Sequence, residues 1–299
     1  MAGLAALARA DRAGLGIALT LVAWLLFAAT DASVKWLVTA GFPAFQLAFM
    51  RYAVNLVLSG GIALRHREVL GGADRGQLAL MLLRAFLLIS TTVSNFIALT
   101  YIPLTVTAAI LFSAPIVVCA LSGPLLGERV GPWRWLAVLI GFAGVLIVIQ
   151  PFGAGFHWAS LLAVYNACAM ALFSLITRRL AGSIAPQTMQ LIMGALGTIT
   201  LLPAALWVWQ TPTTLTDWAL MVAIGAFAWT GHEFFARAHS FAEAHALMPY
   251  SYTYILYAAL ATYLLFGDVP QGWVALGATL IVVSGLLIWW RESLRRGRA

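Results

Sequence analysis

Five ionisable side chains stand inside long apolar runs of this chain: Asp31, Lys35, Arg51, Arg84 and Glu233. In lipid such a group costs about 2.5–3.5 kcal/mol on insertion scales, so it must be neutralised, hydrated or put to use. The chemistry available there is gating, charge recognition and proton coupling. Asp31 and Lys35 are four residues apart with the acid first, the favourable order for a helical ion pair. They read either as mutual neutralisation with Lys35 snorkelling outward, or as an outer gate or a reader of a zwitterion's amino and carboxyl groups. Arg51 cannot lose its proton and needs a carboxylate, carbonyls, water or a substrate anion; a structural latch and a functional group are both open for it. Arg84 lies near enough to an end of its run to snorkel. Glu233 and Arg237 repeat the four-residue spacing just after His232. They read as an inner gate, a proton-coupling site or a plain helix-end pair.

Uncharged polar and aromatic residues accompany these. Trp24 and Trp229 are the two tryptophans far from any run's end, and a buried indole N–H wants a partner. Asn95 follows Ser90, Thr91, Thr92 and Ser94, and Tyr165 adjoins Asn166. Tyr250, Tyr254 and Tyr257 are spaced i, i+4, i+7, one face of a helix. Such groups serve packing, or they wall a cavity that stacks on and hydrogen-bonds a medium-sized, partly apolar solute. Enzyme signatures fail: His232-Glu233 begins the zinc motif H-E-x-x-H, but residue 236 is Ala. There is no phosphate-binding G-x-x-x-x-G-K-[ST] and no nucleophile with a base in register. Cys119 and Cys168, the two cysteines, both fall in apolar runs, against a disulfide or Cys-metal framework. No catalytic residue, metal or cofactor is expected.

The elements that must carry these residues follow from composition. Of 299 residues, 63% are hydrophobic and 9% charged, with mean hydropathy +0.94, against about 25% charged in a soluble domain. The runs are unbroken rather than alternating, which opposes an outer-membrane barrel. Ten stretches suit a spanning helix of about 20 residues: 14–37, 43–64, 77–99, 103–125, 133–151, 158–177, 185–207, 217–236, 244–266 and 271–290. Arg9, Arg12, Arg65, Arg67, Arg75, Arg129, Arg134, Arg178, Arg179, Arg237, Arg291, Arg295, Arg296 and Arg298 all fall at one side. The opposite loops, 38–42, 100–102, 152–157, 208–216 and 267–270, hold no Lys or Arg. By the positive-inside rule both termini are cytoplasmic. That asymmetry accounts for the net charge of +7; the bilayer, and no nucleic acid, is the expected partner.

An internal repeat divides the chain. Gly127 and Gly267, Glu128 and Asp268, and Trp133 and Trp273 are each 140 residues apart. Each set precedes a helix rich in small residues, with Gly141 and Gly144 in one and Gly277 and Gly285 in the other. The halves are 1–152 and 153–299, five spans each, and an odd number of spans turns the second copy upside down. The expected fold is an all-α membrane protein of ten transmembrane helices in two inverted five-helix repeats, the architecture of secondary transporters. Pro115 stands 13 residues before Glu128 and Pro249 stands 19 before Asp268, so the prolines do not superpose, though each invites a kink.

Ala114-Pro115, Leu126-Gly127-Glu128-Arg129 and Gly141-Phe142-Ala143-Gly144 resemble the drug/metabolite transporter superfamily, EamA type. So do Pro249-Tyr250-Ser251-Tyr252 and Leu265-Phe266-Gly267-Asp268-Val269-Pro270, with Asp31, Lys35, Arg51 and Arg84 at familiar positions. The resemblance covers essentially the whole chain. It implies a carrier in the bacterial inner membrane, working by alternating access on a small-molecule substrate. Its commonest activity is export or exchange of amino acids, apolar and aromatic ones included. The alternative it carries is uptake of S-adenosylmethionine, riboflavin or a nucleoside-like metabolite. A scaffold or lipid scramblase is the reading of another class, opposed by inverted duplication and internal charges. The resemblance also implies a cavity lined by the first, third, fourth, sixth, eighth and ninth spans. Those spans carry Trp24, Asn95, Tyr165, Asn166, Trp229, His232, Tyr250 and Tyr254. Ala137 and Gly141 form a small-xxx-small pair that serves a dimer or packing within a monomer; the monomer is expected.

Overall fold

A backbone in lipid has no water to bond, so each apolar run closes its hydrogen bonds internally as a helix. The computed structural model describes residues 2–65, 74–114, 116–117, 132–150, 153, 156–180, 183–242 and 244–296. Pro115, Cys119 and the turn 126–130 with Gly127, Glu128 and Arg129 lie outside the described residues. Among the described residues are eleven helices: α1 (Ala2–Thr39), α2 (Ala44–Arg65), α3 (Arg75–Tyr101), α4 (Leu104–Leu111), α5 (Pro132–Ile149), α6 (Ser160–Leu180), α7 (Pro186–Trp207), α8 (Leu215–Phe241), α9 (Ala244–Ser251), α10 (Thr253–Phe266) and α11 (Gly272–Arg296). Six contain stretches long and apolar enough to cross a membrane: Gly14–Thr39, Arg75–Tyr101, Ser160–Thr177, Gln187–Trp207, Leu215–His239 and Gly272–Trp290. The described helices follow the expected spans in order, with differences: of the fourth span, 103–125, the helix α4 ends at Leu111 and residues 118–125 lie outside the described residues. The first helix begins near the N-terminus, well before residue 14. The span at 244–266 is two helices, α9 and α10, so Tyr250 and Tyr254 do not share one continuous helical face.

Local chemistry sets several ends. The Asp74 carboxylate accepts from the Gln77 N–H (2.7 Å) while the Gln77 side chain accepts from the Asp74 N–H (3.0 Å), a capping box that starts α3. Gly267 closes α10 in the left-handed region, φ +70°, where a side chain would be strained. That is why a glycine opens the Gly-acid turn.

The most extensive helix packings come in exchangeable pairs, though α1–α3 and α2–α3 have no comparable counterpart. α1 lies along α8 as α3 lies along α6; α2 packs on α8 as α3 packs on α7; α1 meets α10 as α4 meets α6. The pairs α2–α7, α5–α11 and α4–α10 are their own counterparts. Swapping the first five spans with the last five therefore maps these contacts onto one another. At the α5–α11 seam the backbones touch: a Cβ on Gly144 would stand 2.8 Å from the Gly277 carbonyl, and one on Gly277 2.6 Å from the Gly144 carbonyl. Ser284 Oγ donates to the Ala137 carbonyl (2.6 Å), and a Cβ on Gly141 would meet Ser284 Oγ at 2.8 Å. The Ala137/Gly141 face is thus packed against α11 within the chain.

Candidate substrate site and charge network

Asp31, on α1, is held from two other elements. Asn95 Nδ2 of α3 donates to Oδ1 (3.1 Å), and the Tyr254 hydroxyl at the start of α10 donates to Oδ2. Arg51 of α2 acts on this carboxylate electrostatically but donates to Thr92 Oγ1 (2.8 Å). Thr92 is in turn 2.8 Å from the Tyr52 hydroxyl, and Tyr52 donates to the Leu88 carbonyl (3.0 Å). The acid and the guanidinium are thus each bonded to neutral groups.

Lys35 turns away from Asp31. Its ammonium donates to the carbonyls of Leu99 (2.7 Å) and Ile102 (3.2 Å) at the end of α3. Those carbonyls have no helical partner, and a cation is favoured there by the helix dipole. The Asp31–Lys35 ion pair suggested by their spacing does not form, because each side chain has a better partner on α3. Arg84 does not snorkel. It is 9% exposed, donates through Nε to Thr177 Oγ1 of α6 (2.8 Å) and lies over the Phe173 ring, 4.4 Å from its centroid, a cation–π contact. Glu233 and Arg237 form an ion pair at 2.8 Å with the arginine 63% exposed, a surface pair of small energetic worth.

Next to Asp31 stands an aromatic box. The Trp24 ring is 5.4 Å from Phe27, 5.2 Å from Phe112, 5.7 Å from Phe235 and 5.7 Å from Tyr254. Phe27 meets the His232 ring edge-on at 4.9 Å, and Phe112 meets Tyr252 at 5.6 Å. Trp24 Nε1, His232 Nε2 and the Tyr252 hydroxyl are buried without a hydrogen-bond partner among the described residues. Buried polar atoms are bonded in the large majority of cases. The three lie around one cluster of rings.

Other expected lining residues tie helices together. Trp229 Nε1 of α8 donates to Ser59 Oγ of α2 (3.0 Å). The Tyr165 hydroxyl of α6 donates to Ser90 Oγ of α3 (2.7 Å). Asn166, with its amide oriented to meet both partners, donates to the Thr91 carbonyl (3.1 Å) and accepts from the Asn95 N–H (3.3 Å), gripping the turn that carries Asn95. Tyr250 is partly buried at the end of α9. Sequence reasoning passed over Phe27, Phe112, Phe235 and Tyr252. One signal marked two of them: Phe112 and Tyr252 are 140 residues apart, the same offset as the Gly-acid turns. Both are also where a helix breaks, α4 ending at Leu111 and α9 at Ser251.

Among proteins of known activity, the chain is 32% identical to a riboflavin transporter of Vibrio cholerae serotype O1, with 93% of this chain and 94% of the relative covered. It is 31% identical to a riboflavin transporter of Rhizobium johnstonii, covering 96% and 95%. It is 26% identical to an S-adenosylmethionine uptake transporter of Rickettsia bellii, covering 93% and 94%. The EamA-like transporter family matches residues 14–150 and again residues 157–290. With the family matched once in each half, over nearly all of a chain whose helices pack as exchangeable pairs, the protein belongs to the EamA-like transporter family of the drug/metabolite transporter superfamily.

Proposed function

We propose that the protein is a secondary carrier for a planar heteroaromatic metabolite, riboflavin first. The observation that carries this reading is the Trp24 box with three unpartnered polar atoms, Trp24 Nε1, His232 Nε2 and the Tyr252 hydroxyl. A flavin or purine ring offers faces to stack, worth about 1–3 kcal/mol per ring, and an edge of donors and acceptors that suits those atoms. Two relatives named for riboflavin support the same choice. Amino-acid export stands second. A zwitterion needs a free acid and a free base, yet both Asp31 oxygens are engaged and the Lys35 ammonium is spent on α3 carbonyls.

The carrier works by alternating access as a monomer in the inner membrane, with both termini cytoplasmic. Its halves, 1–152 and 153–299, are related by inversion, a relation supported by the exchangeable pairs in the helix contacts. Counterflow tests the substrate. Proteoliposomes holding the purified protein are loaded with riboflavin, and labelled riboflavin entry is competed with S-adenosylmethionine, adenosine and aromatic amino acids. Uptake blocked by flavins and little affected by amino acids is expected. Exchange that responds to amino acids and not to riboflavin would overturn the flavin assignment in favour of export.

A further inference from the structure

The Asp31 carboxylate sits between two donors and touches no cation. Among the described residues whose side chains are placed, the other acids are Asp74, Asp217 and Asp268, at or just outside helix ends, and Glu233, which is paired with Arg237. The elements packed on α1 carry these titratable and charged groups. They are Arg51 from α2, Arg84 from α3, His232 and Glu233 from α8, Tyr254 from α10 and Tyr252 at the break before it, with Lys35 on α1 itself. α9 carries Tyr250 and also His245, whose side chain lies outside the described residues; α4 has no titratable group.

We propose that Asp31 is a proton-binding site, and that it clasps α10 to α1 when ionised and releases it when protonated. The geometry is matched to a carboxylate. Both of its oxygens face donors, Asn95 Nδ2 and the Tyr254 hydroxyl, and hydrogen bonds to an ionised acceptor are about twice as strong as neutral ones. A carboxylic acid in the same place would turn an O–H toward a donor. The carbonyl oxygen of the acid can keep Asn95, while the Tyr254 contact must reverse or rotate away and in either case loses its charge-assisted strength. Tyr254 is the second residue of α10, directly past the break at Tyr252, so losing its contact frees the start of a half-helix. Arg51, held by Thr92 one helix away, supplies the balancing charge when Asp31 is ionised. This inference rests on the carrier reading but not on flavin as the cargo.

The first test needs no substrate. The unfolding midpoint of the purified protein in detergent is followed across the neutral range for wild type, Asp31→Asn and Tyr254→Phe. A pH-dependent step present in wild type, absent in Asp31→Asn and displaced in Tyr254→Phe is expected. The same step in Asp31→Asn overturns the proposal. The second test is riboflavin accumulation in proteoliposomes under an imposed pH gradient. Wild type should respond to the gradient, by up to about tenfold per pH unit for one proton per solute, and Asp31→Asn should show a gradient-to-control ratio of one. A wild-type ratio of one with exchange intact also overturns it. If wild-type flavin exchange is silent, the flavin reading fails alone and the substrate-free step still decides the proton site.

Discussion

Trp24→Phe separates what the indole does for the fold from what it does for a ligand, because the two effects have opposite signs. The indole touches four rings, and its Nε1–H is buried without an acceptor. An unpaired buried donor costs about 1–3 kcal/mol. Phenylalanine removes that cost and keeps a ring in the box. It also removes about 40 Å³ of side chain, which at about 24 cal/mol per Å³ costs about 1 kcal/mol. Substrate-free stability should therefore stay level or rise by up to about 2 kcal/mol. With substrate bound the balance reverses. A hydrogen bond from Nε1 is worth about 1 kcal/mol and the lost stacking area adds to it, so riboflavin affinity should fall about five- to tenfold. Unfolding midpoints without ligand and equilibrium dialysis with riboflavin read the two quantities separately. A variant clearly less stable without ligand would mean Nε1 already has a partner. Unchanged riboflavin affinity would mean that the box is not where the ring sits.

Lys35→Met removes two charge-assisted bonds to the end of α3 and should cost about 1.5–3 kcal/mol. It is read as a lowered unfolding midpoint that Lys35→Arg partly restores. Arg84→Met should be neutral or stabilising, because the described partners of this guanidinium are a hydroxyl and a ring and apolar replacements of buried charge often cost nothing; a fall in the midpoint of more than about 1 kcal/mol would disprove that account. Ser113→Ala and Thr253→Val should each destabilise by about 1 kcal/mol. Combined, they should depart from additivity by more than about 0.5 kcal/mol in a double-mutant cycle, since the breaks they serve touch through Phe112 and Tyr252.

Much of the frame was legible because lipid leaves so few choices. Composition fixed the solvent, and length and apolarity placed the spans. Individual candidates for the site were legible too: Trp24, Asp31, Asn95, His232 and Tyr254 come from four different spans and do converge. Partner choice was not legible. An i, i+4 spacing shows that Asp31 and Lys35 can reach each other. It does not show that α3 ends beside Lys35 with carbonyls to fill, or that Asn95 and Tyr254 arrive at Asp31. The phenylalanines of the box were invisible for another reason: in a chain with 16 of them, only three-dimensional proximity singles out Phe27, Phe112 and Phe235.

The prolines misdirect a reading of the repeat, and the hydroxyls correct it. Pro115 and Pro249 fall at different offsets, so on proline alone the two halves would bend in different places. Yet the helices break in register, after Leu111 and after Ser251. A break strands carbonyls that the next turn would have bonded, and in a membrane each must find another donor. Ser113 Oγ donates to the Ile110 carbonyl (2.7 Å), and Thr253 Oγ1 donates to the Tyr250 carbonyl (2.6 Å). The two hydroxyl residues are 140 apart, and each reaches three residues back. Each interruption thus carries a hydroxyl that bonds a carbonyl three residues back, although the prolines fall at different offsets. The aromatic residue beside each hydroxyl, Phe112 or Tyr252, then meets its counterpart from the other half. The two interruptions form one junction, next to Trp24 on one side and to the Tyr254–Asp31 contact on the other. A ligand in the proposed box, or a proton on Asp31, would therefore act where, among the described residues, the two interruptions meet.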